Sequence, residues 1–171
     1  LMKQVHRPNS LFFGQKTEVY EGGVPVPLTI RWPGLVPAAS QSDALVALTD
    51  MLATAVKLVG DSLPYHALKI ATASCQLCKT GRQPGPSAGQ FCLDSRQGLF
   101  AIRQGPWKLI TGQGGGVFLD PEEKDPSQPV GQLYNLEEDP DETTNLFDQH
   151  PELVKRLWIQ LQKMQYGDRS R

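Results

Sequence analysis

Lys16 stands five positions ahead of Glu21-Gly22-Gly23, in the run Lys16-Thr-Glu-Val-Tyr-Glu21-Gly22-Gly23-Val-Pro-Val-Pro27. A compact ammonium on a short segment is suited to stabilising negative charge on an oxyanion, because an unperturbed lysine is charged at pH 7. By residue type alone, a solvated surface lysine is the competing reading. Glu21 is expected to be structural: it holds the turn through backbone hydrogen bonds, and Gly22 and Gly23 allow backbone angles other residues avoid.

A second chemistry is offered by Cys75-x-x-Cys78 with Cys92 and His66, four potential ligands of types that zinc accepts. Their spacing is loose, so free thiols in a loop, or a redox pair, compete with zinc. Three cysteines leave one over in any pairing, and the redox compartment stays open. Glu137-Glu-Asp-Pro-Asp-Glu142 is a solvated turn rather than a calcium loop, since Pro140 interrupts it and the turn glycine is absent. Gly112 to Gly116 lacks a following Lys-Ser/Thr and reads as a flexible hairpin, not a phosphate loop. His6 and His150 are isolated, with surface or capping roles.

The elements that must position these residues are short. Val26-Pro-Leu-Thr-Ile-Arg-Trp32 mixes β-branched and aromatic residues and stops at Pro33-Gly34, which predicts a strand and a turn. Asp50 precedes Met51, Leu52, Ala55, Val56 and Val59 on one helical face, and Gly60 can take the left-handed closing position. From Asp61 to Gln97 there is no period of two or of 3.6. Gly98 to Gln104 and Trp107 to Thr111 read as an antiparallel strand pair around Gly105-Pro106. Val117 to Leu119 and Gln132 to Leu136 add strands, for a sheet of about four. Pro151 opens a helix whose stripe is Leu153, Val154, Leu157, Trp158, Leu161 and Met164, expected to pack across that sheet.

At 171 residues the chain is one domain or a piece of a larger one. Its net charge is -1, with 17 Lys and Arg against 18 Asp and Glu, so no basic field exists to attract nucleic acid or an anionic membrane. No apolar run approaches the ~18 residues of a membrane span, and Leu1 to Gln15 has no secretory pattern. Leu1 is not a natural translation start, which leads us to expect a truncated chain.

The segment from Lys16 through Glu21-Gly22-Gly23 to Trp32-Pro33-Gly34 resembles the corresponding segment of type I, arylsulfatase A-like sulfatases, of the alkaline-phosphatase-like superfamily. Further likenesses follow in the same order: Asp50-Met-Leu-Ala-Thr54, with Ala53 where Pro is usual; Phe100 to Leu109; Leu133-Tyr-Asn-Leu136 with Asp139-Pro140, Glu142 and Asn145-Leu146; and the helix from His150-Pro151. Pro25 stands where an Arg is usual after Glu-Gly-Gly-Val.

The resemblance implies an α/β, alkaline-phosphatase-like fragment, the end of the large domain plus a small antiparallel sheet packed on a carboxyl-terminal helix. Expected boundaries are 1–64 for the large-domain end, 65–97 for a divergent or frameshifted insert and 98–171 for the carboxyl-terminal subdomain. It also implies hydrolysis of a sulfate ester, with Lys16 as the sulfate-contacting residue, calcium as the cofactor of the complete enzyme, and a formylglycine made from the Cys of Cys-x-Pro-x-Arg. Cys78-Lys-Thr-Gly-Arg82 and Cys92-Leu-Asp-Ser-Arg96 lack that Pro and follow Glu-Gly-Gly instead of preceding it. The metal-binding carboxylates and the modified Cys are expected before Leu1, so the chain alone is expected to be inactive and to bind no metal.

Family members are often secreted, periplasmic or lysosomal; the chain itself carries no address. An apolar face left by the absent part of the domain would favour self-association. The competing class is a non-enzymatic orphan domain, a binding module or a decayed gene product, for which Trp32 would be the exposed aromatic.

Overall fold

The computed structural model describes residues 12–42, 45–61, 90–116 and 125–166. Within these bounds the chain forms two compact units, Leu1–Val26 with Cys92–Ser170, and Pro27–Phe91.

The first unit is built on a four-stranded sheet of order β1-β2-β3-β4, with β1 at Gln90–Asp94, β2 at Phe100–Gln104, β3 at Trp107–Ile110 and β4 at Gln132–Asn135. β2 and β3 form a hairpin whose turn is Gly105-Pro106; Gly105 has φ 58, the positive value a two-residue hairpin requires at its first central position. The antiparallel register aligns Ile102 with Leu109 and Leu109 with Leu133, and one step along it aligns Arg103 with Lys108 and Lys108 with Tyr134.

Side chains alternate across a strand, so this register sorts the sheet into two different faces. One face is apolar: Ile102, Leu109 and Leu133 are fully buried against Leu157 and Leu161 of the helix α2, Pro151–Tyr166. α2 begins at Pro151, which costs nothing at a first-turn position, and the Val154 N–H reaches the His150 carbonyl at 3.0 Å. Each large apolar side chain so buried contributes roughly 1.5–3 kcal/mol. Leu153, Val154 and Trp158 complete the contact, whereas Met164 is 45% exposed. The opposite face carries Ala101, Arg103, Lys108, Ile110, Gln132 and Tyr134, and receives Val19 and Tyr20.

One expectation for this unit changes. Gln90–Asp94, part of the stretch without a period in the sequence, forms β1, in which Cys92 packs toward the α2 side and Leu93 toward Val19 and Tyr20. The alternation there runs over only five residues, too few to stand out from the surrounding aperiodic stretch. The proposed strand Val117 to Leu119 lies outside the described residues.

In the second unit, α1 spans Thr49–Leu58. Asp50 Oδ2 accepts the Ala47 N–H at 2.9 Å, and Gly60 has φ 79 beyond the end of the helix. The stop signal works as its chemistry requires, but the helix opens at Thr49, so Asp50 lies in the first turn and its carboxylate accepts an N–H from before the helix instead of capping it from outside. The apolar face is not buried as expected: Met51, Leu52 and Val59 are exposed, whereas Asp50 and Thr54 are buried. Val26 to Trp32 forms no strand either. Strand propensity mostly measures fit to a pleated, half-buried surface, and this stretch pairs with no strand among the described residues. The Pro33-Gly34 turn is present, with Gly34 at φ 85 and the Leu35 and Val36 N–H groups donating to the Trp32 carbonyl. No described helix is long and apolar enough to cross a membrane.

Candidate functional site

Lys16 is exposed at the tip of a tight loop. Glu18 Oε2 accepts the Gln15 N–H at 2.7 Å, and the Glu18 N–H donates back to the Gln15 carbonyl at 3.0 Å. Thr17, beside the lysine, has φ 81, a left-handed conformation that costs a β-branched residue about 1–3 kcal/mol and persists only where its surroundings hold it. The holding comes from the Glu-Gly-Gly segment, which folds as a single 3-10 turn, Glu21–Gly23. The Gly22 N–H donates to the Phe13 carbonyl at 2.7 Å. A Cβ on Gly22 would strike the carbonyl of Gly14 and stand 2.5 Å from that of Phe13; one on Gly23 would strike the carbonyl of Gln15 and stand 2.5 Å from that of Glu18. Both glycines are thus spatial requirements: the loop carrying Lys16 wraps over them at a distance no side chain permits.

Glu21 faces into the sheet and is 6% exposed. Its carboxylate meets two cations, Lys108 Nζ at 2.9 Å and Arg103 Nη1 at 3.0 Å, where the sequence pointed to backbone partners in the turn. Its own N–H donates to Glu142 Oε2 at 2.6 Å, and Glu142 Oε1 lies 2.9 Å from the same Lys108 ammonium. That last contact is ionic, without the alignment of a hydrogen bond. Burial raises the Glu142 carboxyl above its ordinary value, outweighing the pull of Lys108 and of the Glu21 N–H. Lys108, with no exposed surface, is the centre of this group.

Beside it the Tyr20 and Tyr134 hydroxyls both donate to Gln132 Oε1, at 2.8 and 2.7 Å. Gln132 Nε2 donates to the carbonyls of Gly112 and Gly114 at 2.7 and 3.0 Å. Desolvation lifts the Tyr20 phenol to about 12 and the Tyr134 phenol further still. The glycine-rich segment is accordingly a packed loop, not the flexible hairpin its composition implies: the Gly115 carbonyl accepts the Val19 N–H at 3.1 Å, and Gly115 lies against Tyr20 and Glu18.

The other sequence candidates separate. Cys92 is partly buried on β1, and its thiol is pushed up to about 11 by burial and then by the Asp94 charge. Cys75, Cys78 and His66 lie outside the described residues, as does His6. Asp139 caps the next turn: its carboxylate accepts the Thr143 and Thr144 N–H groups, which outweigh partial burial and hold it below its ordinary value. His150 stacks edge-on against Trp107 with ring centroids 5.3 Å apart. Among the described residues no three His, Cys, Asp or Glu side chains converge as a metal site would need.

Lys108, Arg103 and Glu142 were invisible as a group in the sequence. The strand alternation put Arg103 and Lys108 together on one face, but a polar face reads as a solvated one until a covering segment is known.

No protein-family model matches the chain. It is 30% identical over 156 residues to an N-acetylgalactosamine-6-O-sulfatase of Bacteroides thetaiotaomicron, covering 89% of this chain and 29% of that protein. It is 31% identical to mouse arylsulfatase K over 150 residues, and 31% identical to human arylsulfatase A over 166 residues. These matches cover 83% and 88% of this chain but 25% and 32% of the relatives, so the chain spans between a quarter and a third of their length. A solved structure from work on the metabolism of multiple glycosaminoglycans by Bacteroides thetaiotaomicron superposes with a TM-score of 0.77 at 25% identity, over 94% of this chain and 33% of that one. Ps i-CgsB in complex with a neocarrahexaose shares the fold, with a TM-score of 0.68 at 21% identity over 92% of this chain and 32% of that one. With this sheet, helix and Lys16 to Glu-Gly-Gly segment in the same chain, the protein belongs to the sulfatase family, of alkaline-phosphatase-like fold, and corresponds to the carboxyl-terminal portion of its members.

Proposed function

We propose that the chain contributes Lys16 as a sulfate-contacting residue to the hydrolysis of a sulfate ester into an alcohol and inorganic sulfate, and that the chain by itself does not turn over. The observation supporting the lysine's role is its setting: an exposed side chain at the tip of a loop whose backbone is strained at Thr17 and fixed at Gly22 and Gly23. A lysine that only solvates a surface has no need of such a base. An ammonium held in place stabilises the negative charge that builds on the leaving oxygen as the S–O bond breaks, with little reorganisation at that moment.

The family resemblance also implies a divalent cation, calcium, in the complete enzyme. The described residues do not fit as its ligands: Glu21 and Glu142 are neutralised by Lys108 and Arg103, and Asp139 is spent on backbone N–H groups. The inactivity proposed for the chain alone is supported by the want of such ligands among the described residues, together with the absence of a Cys-x-Pro-x-Arg motif from the sequence.

The test is sulfate release from a chromogenic aryl sulfate with added calcium, comparing this chain with a version extended to the gene's upstream reading frame. Turnover by the extended protein only, lost in Lys16→Ala, is the expected result. Sulfate release by the short chain would sink the claim of inactivity, and an unimpaired Lys16→Ala would sink the lysine's role.

A further inference from the structure

We propose that Lys108 is a positioning residue for the Lys16 loop: by bridging Glu21 and Glu142, it pins the Glu21–Gly23 turn to the sheet, and that turn holds the loop. The functional meaning of the pin rests on the reading of Lys16 as the sulfate contact; its geometry does not.

The connection can be followed atom by atom. Lys108 Nζ lies 2.9 Å from one oxygen of each carboxylate. Glu142, through its other oxygen, accepts the backbone N–H of Glu21 at 2.6 Å. Glu21 is therefore fixed at its backbone and its side chain by one ammonium and one partner. The two residues after it are the glycines over which Phe13 to Glu18 is wrapped, close enough that any shift of the turn moves those carbonyls. The loop in question is far from β3 in the sequence, with 87 positions separating Glu21 from Lys108.

A buried ion pair stabilises little relative to apolar packing of the same volume, but losing one partner is costly because the other is left uncompensated. The pair therefore penalises every arrangement except the one that keeps all three groups together. Arg103 cannot substitute for the bridge, since it is partly exposed and its contact is to Glu21. Without the ammonium, two carboxylates face each other, and they coexist only if one takes a proton or the turn moves away. The charged groups around Glu142 are Lys108, Glu21 and, through Glu21, Arg103. The phenols of Tyr20 and Tyr134 are pushed up by burial and stay neutral between pH 5 and pH 8.

Amide hydrogen exchange on the whole chain tests this, with wild type and Lys108→Met compared at pH 8 and pH 5 as protection factors. Gly22 and Gly23, bonded to the Phe13 and Tyr20 carbonyls, report the turn; Thr111 and Leu146, bonded to the Phe100 and Leu133 carbonyls, report the sheet. At pH 8 the variant is expected to lose about tenfold more protection at Gly22 and Gly23 than at Thr111 and Leu146. At pH 5, where the facing carboxylates can share a proton, that excess should vanish. A loss shared equally by all four amides, no loss, or an excess that persists at pH 5 overturns the proposal. Should Lys108→Met fail to fold, Lys108→Met with Glu142→Gln removes the facing charge. With that charge gone it should fold and lose protection equally at all four amides at both pH values, and an excess loss at Gly22 and Gly23 at pH 8 would overturn the pin. If the exchange result holds while Lys16→Ala in the extended protein keeps its sulfate release, the sulfate-contact reading fails and the pin stands; the reverse pattern sinks the pin alone.

Discussion

The Glu142 carboxylate accepts the backbone N–H of Glu21 at 2.6 Å from a residue that itself has φ 54. Glu142 thus reaches the Lys16 segment from the loop after β4, in a left-handed conformation that asparagine and glycine would adopt more readily. What it provides is an acceptor in a place water does not reach, and the consequences of removing it depend on what replaces the carboxylate.

Glu142→Gln keeps an amide oxygen for the Glu21 N–H, and Glu21 still pairs with Lys108, so its cost should stay below about 1 kcal/mol at pH 7. Glu142→Leu strands a buried donor and should cost about 1–3 kcal/mol. Urea unfolding of the two variants at pH 7 gives the comparison, and equal midpoints would contradict the assigned bond.

The pH dependence has a definite sign. Glu142 is raised above its ordinary value of 4.5, so the folded chain holds that proton more tightly than the unfolded one. Its contribution to stability is full below 4.5 and is lost as pH rises through the folded value. Wild type should therefore gain on Glu142→Gln as pH is lowered from 8 toward 4.5, read as the difference between their urea midpoints. Asp139, held below its ordinary 3.8, acts in the opposite direction and only at lower pH, where its capping bonds are lost. It is common to both proteins and cancels in the difference.

Gly22 and Gly105 should respond differently to the same replacement. Gly105 has φ 58 and open space around it, so its requirement is conformational, and Gly105→Asn should be tolerated within about 1 kcal/mol because asparagine accepts that region. Gly22 is required for space, and Gly22→Asn should cost about 1–3 kcal/mol or more, since the clash is with backbone carbonyls that cannot rotate away. Thermal unfolding followed by circular dichroism separates the two; similar melting temperatures would argue against the close wrap of the Lys16 loop.

Cys92 should be a slow thiol. With its ionisation pushed to about 11 by burial and the Asp94 charge, the thiolate is scarce at pH 8. Alkylation of Cys92 by iodoacetamide, located by peptide mass spectrometry, should run at least about tenfold slower in the folded chain than in urea. Equal rates would place the side chain in solvent and remove it from the α2-facing cluster.

The strand pair, the turn at Gly105-Pro106 and the closing helix could be read from residues 98–166 because each carries a complete local signal: alternation, a glycine able to take positive φ, and an apolar stripe behind an N-terminal proline. The same kind of signal misled at Val26 to Trp32, where strand-forming residues meet no partner strand among the described residues. It also misled along α1, where a correct helix exposes the apolar side chains its period seemed to bury. Hydrophobic period states which residues share a face. It does not state what lies against that face.

The Lys16 to Glu-Gly-Gly spacing, the order of the later segments and hence the family were determined by the sequence alone, since they depend on residue identity and position along the chain. Tertiary structure alone decided that Lys108 is buried, that Glu21 and Glu142 are its partners, and that Gly115 is packed against Tyr20. The physical reason is that an ion pair is a property of distance in space. Glu21, Lys108 and Glu142 are far apart in sequence, and nothing in the character of an alternating strand says whether its polar side meets water or a second layer of chain.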